Sequence, residues 1–377
     1  MPAGAPLATR RDVSPPGAIG KALLCLTVAS LLCLSCTPLH TPRILKIGIA
    51  APFEGRYRDI GYDAIYAARL AVREINIAGG VEGSRLELVA YDDRGELGLA
   101  ARVAGNLATD PDVVAVIGHY RPETSAVAGP VYAQAGLPYV VVGGWGQGAG
   151  TTRYLTAPPD ALAQAMTEVV ADPQAAPGVV LGAGDLGQAL AARGWTSVGP
   201  ERPTASRSVV SLLAPVESAE WLTTQRDAGW TGQLLGDADL ASPAFGRVAG
   251  SHAAGTYVVT SYPFPQDLGG IGSWIEGYLA MGPHVAPPGP YALPTYEAVY
   301  LIAEAIATAS RDRGGGAQRE AVGQALISVE RAGLLGEIRW DAEGSWDAAP
   351  LYVYRWDGGE GALSPRLLFE TRAGAMP

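Results

Sequence analysis

The chain has 377 residues, of which 48% are hydrophobic and 17% are charged. This length allows two lobes of ordinary size, and the high apolar fraction excludes an intrinsically disordered protein. The formal net charge of −10 argues against a nucleic-acid partner, because there is no excess of cations to neutralise phosphates.

The N-terminal segment, residues 1–36, has the features of a secretion signal and is left out of the fold. Cations precede an apolar run over 22–34, which is short for a membrane span. The run ends in Cys33-Leu-Ser-Cys36, which resembles the cleavage box of bacterial lipoproteins. We predict cleavage and lipidation at Cys36, followed by a tether over 37–43. An uncleaved signal anchor is the alternative, and both place the body of the protein outside the cytoplasm.

Strands and helices alternate over residues 44–145. The apolar run Ile44–Ala50 is typical of a strand buried on both faces of a parallel sheet. Apolar residues then recur at helical spacing from Ala64 to Ile75, and Gly79-Gly80 ends that helix. The alternation predicts right-handed βαβ units, and therefore a parallel sheet flanked by helices. Further strands are predicted at 85–91, 113–118 and 138–143.

Ligands of parallel sheets bind in the crevice beyond the carboxyl ends of the strands. In this chain those ends lead into the loops 51–60, 118–125 and 143–148. We therefore expect the functional site in these loops.

A second and shorter series of elements follows. An apolar, alternating segment over 351–356 predicts one more half-buried strand near the C-terminus. The other predicted elements are strands at 178–181, 208–213 and 233–235, and helices at 186–193 and 217–228.

Four segments of the first region carry a family resemblance. They are Ile47-Gly-Ile-Ala-Ala-Pro-Phe-Glu-Gly55, Ala71–Gly83, Leu88-Val-Ala-Tyr-Asp-Asp93 and Ala115-Val-Ile-Gly-His119. In residue type and spacing they resemble the leucine/isoleucine/valine-type (type I) periplasmic substrate-binding proteins of ABC transporters. The resemblance is weak between 158 and 254. It returns at Gly255–Thr260, Thr295–Ala305 and Gly336–Asp341.

The resemblance implies two α/β lobes, each a parallel sheet flanked by helices, with three crossings and the ligand between them. Lobe 1 would comprise residues 44–156 and 258–336, and lobe 2 residues 157–257 and 337–377. The family has three βα units in the first part of lobe 2, whereas this sequence predicts the loss of a helix, or of a whole unit, over 195–207. We therefore expect a shortened lobe 2 with a smaller sheet.

The helix that follows the third strand is the predicted anion site. The first N–H groups of a helix lack intrahelical partners, and the helix dipole favours an anion there. The resemblance implies that the Thr124 hydroxyl binds the α-carboxylate of an amino acid, with Tyr120 and Ser125 in the same loop. The alternative is that Thr124 or Ser125 only caps its own helix.

Two other loops complete the lobe 1 side. Gly143 and Gly144 let a ligand approach the backbone, and Trp145 either stacks on the ligand or packs between the lobes. The resemblance implies that Tyr57 and Ile60 contact the ligand side chain.

Arg58 and Arg121 are additional cations near the opening of the predicted ligand site. Pairing with Asp59 and Glu123 at the surface is the more frequent fate of such charges. If one of these arginines points inward, an acidic ligand is favoured.

In lobe 2 the resemblance implies a carboxylate for the ligand's ammonium group, surrounded by aromatic side chains. Asp237 and Asp239 follow the strand 233–235 and are the carboxylates at the matching place. Leu186 and Pro215 stand where the family has aromatic contacts. Tyr262 or Tyr291 would substitute for them.

One motif favours a different function. The segment Val179–Gly187 contains Gly-x-Gly-x-x-Gly between a strand and a helix, with Glu201 near the place of an acidic ribose partner. Alone it indicates a dinucleotide site and a nucleotide-dependent enzyme. A glycine-rich turn also has a structural use in a shortened lobe, and an extracytoplasmic protein has little access to NAD.

Catalysis finds little support in the sequence. All three cysteines lie within the first 36 residues, the four histidines lack zinc-like spacing, and no Gly-x-Ser-x-Gly elbow occurs. We therefore expect no enzyme activity, no cofactor and no metal.

These patterns predict an extracytoplasmic, lipid-anchored substrate-binding protein of an ABC importer. We expect it to bind a small polar ligand, an amino acid or amide, and to pass it to an ABC permease. We expect a monomer that touches the membrane only through its N-terminal lipid. A ligand-sensing receptor that reports to a membrane kinase is the alternative within the binding class.

Overall fold

The computed structural model describes residues 42–145, 150–170, 178–201, 205–313, 318–357 and 364–372. The predicted signal segment with Cys36, and tether residues 37–41, lie outside these ranges. Residues Arg43–Pro377 form one compact unit. Within the described ranges, no helix combines the length and the apolar character that crossing a membrane requires.

The first sheet has five parallel strands in the order β2-β1-β3-β4-β5. Its strand β1 pairs Ile47 with Leu88 of β2 and with Ala115 of β3. Ile47 and Ile49 are fully buried, as expected for a strand covered on both sides. The strands of this sheet are β1 (Ile44–Ala51), β2 (Arg85–Asp92), β3 (Val113–Gly118), β4 (Tyr139–Val141) and β5 (Thr152–Tyr154).

The second sheet has seven strands in the order β14-β13-β10-β9-β8-β6-β7. Strands β6 to β10 pair in parallel, whereas β13 pairs antiparallel with both β10 and β14. Strands β11 (Arg331–Gly333) and β12 (Gly336–Ile338) form a separate hairpin. The strands of the second sheet are β6 (Val179–Leu181), β7 (Thr196–Val198), β8 (Ser208–Ser211), β9 (Gln233–Gly236), β10 (Tyr257–Thr260), β13 (Pro350–Asp357) and β14 (Ser364–Arg372).

The helices pack as layers against these two sheets. On the first sheet, Ile47 and Ile49 share a core with helix α1, while Ala50 on the opposite face shares another with Leu107 of α2. The helices are α1 (Arg58–Ile77), α2 (Leu97–Thr109), α3 (Pro122–Gln134), α4 (Pro159–Val169), α5 (Asp185–Ala192), α6 (Pro215–Asp227), α7 (Pro243–Ala249), α8 (Gly272–Leu279), α9 (Ala292–Arg313) and α10 (Arg319–Leu326).

The second sheet has seven strands, which is more than the sequence predicted for this lobe. The unpredicted strands β7 and β14 are edge strands. Edge strands carry exposed and charged residues that blunt the apolar pattern used for prediction. The connection from β7 to β8 has no helix in its described residues, 199–201 and 205–207, whereas α5, α6 and α7 fill the neighbouring connections. Among the described residues, lobe 2 therefore lacks a helix in this connection, as expected from the sequence.

Strand β10 pairs with β9 and β13, so residues 258–260, which we assigned to lobe 1, belong to the second sheet. The chain then continues through α8 into helix α9, which packs on α1. From here on, lobe 1 denotes the first sheet with α1–α3 and α8–α10. Lobe 2 denotes the second sheet with α4–α7.

Candidate ligand-binding cleft

A cleft lies between the lobes at the carboxyl ends of the parallel strands, where ligands of such sheets bind. The free space in it is about 20 Å³, so the two walls lie nearly in contact in this structure. Lobe 1 contributes the loop after β3 and the loop after β4, and lobe 2 contributes the loops after β6, β8 and β9. The described lining residues are Arg121, Pro122, Glu123, Trp145, Ala183, Gly184, Asp185, Leu186, Leu212, Asp237 and Asp239.

Buried contacts of His119 hold the loop after β3 in place. The Nδ1 atom of His119 lies 2.7 Å from Asp93 Oδ2, and its Nε2 atom lies 2.8 Å from the hydroxyl of Tyr132. All three residues are fully buried. The preceding Gly118 has φ 131°, a conformation that side chains disfavour. The end of β2, the loop and helix α3 are therefore tied together without using any atom of the cleft.

The hydroxyls of Thr124 and Ser125 are used within the same loop. Thr124 Oγ1 donates to the carbonyl oxygens of His119 and Arg121, each at 3.1 Å, and Ser125 Oγ donates to that of His119 at 2.8 Å. Both residues are buried, and the N-cap of α3 is Arg121. A ligand carboxylate only accepts hydrogen bonds, so it would compete with these carbonyls for the Thr124 proton. The ligand role of Thr124 and Ser125 stays a prediction.

Arg121 places a cation in the cleft. Its backbone is extended, with φ −123° and ψ 140°, and its guanidinium lies 4.1 Å from the centre of the Tyr57 ring. It forms an ion pair with Asp239 of lobe 2, and its Nη2 atom lies 3.4 Å from Glu123 Oε2. Burial lowers the pKa of Arg121, but Asp239, and after it Tyr57, raise this pKa above its ordinary value. The cleft therefore holds a permanent positive charge, with only 6% of the residue exposed.

Three predicted contacts of lobe 1 lie behind the described lining of the cleft. Tyr57 is half-buried beneath Arg121, and burial raises its pKa to about 12. Ile60 is packed in the core. Tyr120 is buried with its hydroxyl 2.8 Å from Thr295 Oγ1. Tyr57 therefore supports the cation, whereas Ile60 and Tyr120 support the fold.

Gly143, Gly144 and Trp145 lie where the loop after β4 approaches the crossing to lobe 2. A Cβ atom on Gly143 would lie 2.6 Å from the carbonyl oxygen of Tyr120, and Gly143 has φ 79°. Trp145 lines the cleft and donates its indole N–H to the carbonyl of Ala157 at 2.8 Å. Trp145 therefore walls the cleft and also ties its loop to the crossing.

Two aspartates face Arg121 from lobe 2. Asp239 is buried, and its two carboxylate oxygens accept from Arg121 and, at 2.9 Å, from the hydroxyl of Tyr291. Asp237 caps the short turn between them, because its Oδ1 atom accepts from the backbone N–H of Asp239 at 3.0 Å. Burial, and then the negative charge of Asp239, raise the pKa of Asp237 to about 7. The structure therefore brings both predicted carboxylates together with the cation.

Tyr262 holds the crossings and is absent from the described lining of the cleft. Its hydroxyl accepts from the backbone N–H of Gly143 at 2.7 Å and donates to the carbonyl of Leu155 at 2.9 Å. Tyr291, considered beside it, reaches the site through Asp239 instead. The ligand role of Tyr262 stays a prediction, and its contacts favour a structural one.

The glycine-rich loop after β6 faces the cleft. Gly182 and Gly184 have φ values of 98° and 108°, and helix α5 begins directly afterwards at Asp185. The helix N-terminus would favour an anion, but Asp185 occupies its first turn. Sequence reasoning missed Asp185 and Leu212 as lining residues. Their position directly after strands was the available signal.

Two ion pairs also join the lobes outside the described lining of the cleft. Arg56 pairs with Glu217, with 53% and 47% of their side chains exposed. Asp59 accepts from Arg247 Nη2 at 3.3 Å and from Ser242 Oγ at 3.4 Å. Exposed pairs of this kind contribute about 0–1 kcal/mol each.

A family model described as periplasmic binding protein matches residues 44–201 and 201–361 of the chain. Among curated proteins, the amino acid binding protein of Pseudomonas aeruginosa is 33% identical over 123 residues, which is 33% of this chain and 32% of that protein. The Leu/Ile/Val-binding protein of Escherichia coli is 29% identical over 118 residues, 31% of each chain. The matched stretches thus span about a third of the length of these relatives.

Solved structures share the fold over most of the chain. The branched-chain amino acid transporter substrate binding protein LivJ from Streptococcus pneumoniae, in complex with isoleucine, has a TM-score of 0.70 at 19% identity, and covers 86% of this chain and 100% of its own. A solute binding protein from Rhodopseudomonas palustris BisB5, in complex with 3,4-dihydroxy benzoic acid, has a TM-score of 0.70 at 17% identity, and covers 88% and 98%. These likenesses establish the two-lobe architecture.

Proposed function

The chain belongs to the periplasmic binding protein family, and from this premise we propose that it is the extracytoplasmic substrate-binding lipoprotein of an ABC importer. It captures a small amino acid or amide in the cleft between its lobes and passes it to a permease in the membrane. The observation that carries this proposal is the set of charged side chains of both signs, the buried Arg121 and Asp239 with the partly buried Asp237, at the strand ends of two facing lobes.

The cleft has the properties of a capture site for a small polar molecule. Its charged groups are flanked by the apolar side chains of Trp145, Leu186 and Leu212. Polar groups fix the orientation and specificity of a bound ligand, and the apolar side chains beside them cover its apolar parts. The relatives named for amino acid binding support an amino acid as the ligand class.

Capture would proceed by closure of the two lobes. The lobe 1 loop after β3 is held by buried contacts to His119 and is ready to receive the ligand. The aspartates of lobe 2 would then close over it, as in hinge motions of two-domain binding proteins. The ligand stabilises the closed form because it contacts both lobes.

Charge does not favour the alternative of a nucleotide-dependent enzyme. The lining includes four carboxylate residues, Glu123, Asp185, Asp237 and Asp239, against the single cation of Arg121 among the described residues. This surplus of negative charge repels the phosphates of a dinucleotide. The glycine-rich loop is better explained as a turn into helix α5.

A thermal-shift screen against amino acids, their amides, short carboxylic acids and NAD tests the ligand class. A bound ligand stabilises the folded protein by mass action, so a true ligand raises the melting temperature in a concentration-dependent way. An amino acid or amide should do so, and NAD should not. Stabilisation by NAD at micromolar concentration would replace the import proposal with the nucleotide one.

The membrane anchor is tested separately with Cys36→Ser in the full chain expressed in a bacterial host. The parent should fractionate with membranes and the variant should be soluble, with unchanged ligand binding. A variant that stays in the membrane at full length would contradict lipidation at Cys36 and favour the uncleaved anchor.

A further inference from the structure

The cation in the cleft is built into the fold and is not a surface charge. Arg121 follows β3 at the start of helix α3, directly before Pro122, which has no backbone N–H to offer an anion. Its guanidinium rests on the Tyr57 ring and is almost fully buried. A guanidinium presents a planar fork of donors that matches a carboxylate. Arg121 is therefore the strongest carboxylate-binding group among the described residues of the cleft.

The carboxylate of Asp239 already binds the Arg121 guanidinium and so shows how a carboxylate is accepted there. It reaches across from lobe 2 and pairs with Arg121, while Tyr291 donates to its second oxygen at 2.9 Å. Asp237 lies beside it as a second carboxylate of the lining, and its Oδ1 is bonded to the Asp239 N–H. The cleft thus pairs one cation with one anion and keeps a second acidic group next to them.

This arrangement discriminates among ligand charges. A ligand with only a carboxylate would separate Asp239 from Arg121 and leave its buried charge next to another acid, which is costly. A ligand with only an ammonium group would leave the ion pair between Arg121 and Asp239 in place. Such a ligand would gain no interaction from Arg121. A zwitterion replaces the single ion pair with two, because its carboxylate meets Arg121 and its ammonium meets the aspartates.

We propose that Arg121 binds the carboxylate of a zwitterionic ligand, and that Asp239, freed from Arg121 by this ligand, accepts its ammonium group together with Asp237. The inference rests on the proposed function and specifies its ligand as an amino acid with both charged groups free. It assigns to Arg121 the role that the sequence assigned to Thr124. The ligand's side chain then lies toward Trp145, Leu186 and Leu212, which favours an apolar one.

The first test is calorimetry on the unmodified protein with a panel of the common L-amino acids. The tightest binder is then compared with its primary amide, which lacks the carboxylate, and with its deaminated acid, which lacks the ammonium. Loss of one charge-assisted contact in a dry cleft weakens binding by about 100-fold. Both analogues should therefore bind about 100-fold more weakly than the amino acid.

The second test compares two arginine variants that each lose an ion pair between the lobes. Arg121→Gln should weaken binding of the same amino acid by about 100-fold. Arg56→Gln, which removes the exposed pair with Glu217, is the matched control and should stay within about threefold. Circular dichroism establishes that each variant is folded, and if Arg121→Gln is not, the analogue series decides alone.

The outcomes separate the inference from the function on which it rests. If the amide or the deaminated acid binds the parent protein as tightly as the amino acid does, the inference is wrong. The proposed function as a substrate-binding protein is unaffected by that result. Undiminished binding by folded Arg121→Gln leads to the same two conclusions. Failure of every amino acid in the panel overturns the amino-acid ligand itself, and the inference with it.

Discussion

The two walls of the cleft are built in different ways. On the lobe 1 wall, the loop after β3 is fixed by buried side chains, with His119 between Asp93 and Tyr132. On the lobe 2 wall, the loops after β6 and β9 are short turns, with Gly184 at φ 108° and Asp237 capping its own turn. One wall is therefore specified by tertiary packing and the other by local backbone geometry. Substitutions in the lobe 1 wall should therefore lower the stability of the fold, whereas substitutions in the lobe 2 wall should act mainly on ligand binding.

The largest difference between the walls should appear on adding a methyl group to a glycine on each side. In Gly118→Ala the new Cβ would collide with the carbonyl oxygen of Ala50, and the residue would keep φ 131°. In Gly184→Ala the Cβ enters open space, so that only the φ of 108° is unfavourable. We expect a loss of about 4 kcal/mol for the first variant and about 1–2 kcal/mol for the second.

Urea denaturation of both glycine variants measures these losses. Equal losses at the two positions would mean that the loop after β3 relaxes as freely as the loop after β6. The contrast between a packed wall and a turn-built wall would then be wrong.

A matched pair of histidines gives the next largest effect. His119→Ala leaves the buried carboxylate of Asp93 and the hydroxyl of Tyr132 without their partner, which should lower the free energy of unfolding by about 3 kcal/mol. His252→Ala removes a histidine that also faces an aspartate, Asp227, at 3.4 Å, but at the surface of lobe 2. That variant should change stability by less than about 0.5 kcal/mol. A small loss for His119→Ala would show that the buried contacts do not hold the lobe 1 wall.

The same contrast explains how much of the fold the sequence revealed. The first strand was predicted at 44–50 and lies at Ile44–Ala51, because apolar runs and glycine stops are local signals. The edge strand Thr196–Val198 was missed, since three residues, of which the first two are exposed, are too few to carry a periodic pattern. The seven-stranded sheet was therefore underestimated where its pairing depends on neighbours and not on composition.

Two of the three loops predicted in lobe 1, 118–125 and 143–148, line the candidate cleft, whereas no residue of 51–60 is among its described lining residues. The crevice rule located the cleft, because every parallel strand ends on the same edge of its sheet. The contact between Arg121 and Asp239 joins residues that are 118 positions apart, and no spacing rule reports such a pair. Tyr120 and Tyr262 have the right residue type in the right loops, but tertiary packing directs their hydroxyls to Thr295 and to the crossings.

The smallest predicted effect concerns the acid on the turn-built wall. Burial, followed by the charge of Asp239, raises the pKa of Asp237 from 3.8 to about 7. An acid with a raised pKa in the folded state holds its proton more tightly when folded. The contribution of Asp237 to the free energy of unfolding should therefore fall as the pH rises from about 4 to about 7, and it should be constant above that range. Asp237→Asn keeps an oxygen to accept the Asp239 N–H but cannot ionise, so the variant should gain stability relative to the parent as the pH rises.

We expect this gain to be about 1 kcal/mol larger at pH 8 than at pH 4.5, measured by urea denaturation of both proteins in the absence of ligand. The gain is smaller than the full linkage value because the side chain of Asp237 is partly exposed to water, which screens its charge. A gain that is equal at the two pH values would mean that Asp237 titrates alike in the folded and unfolded chains. The turn-built wall would then hold a hydrated carboxylate, and Asp239 alone would be left to accept the ammonium group of a ligand. A gain that grows with pH means instead that the negative charge of Asp237 destabilises the ligand-free protein. A cationic group of a ligand would offset this destabilisation.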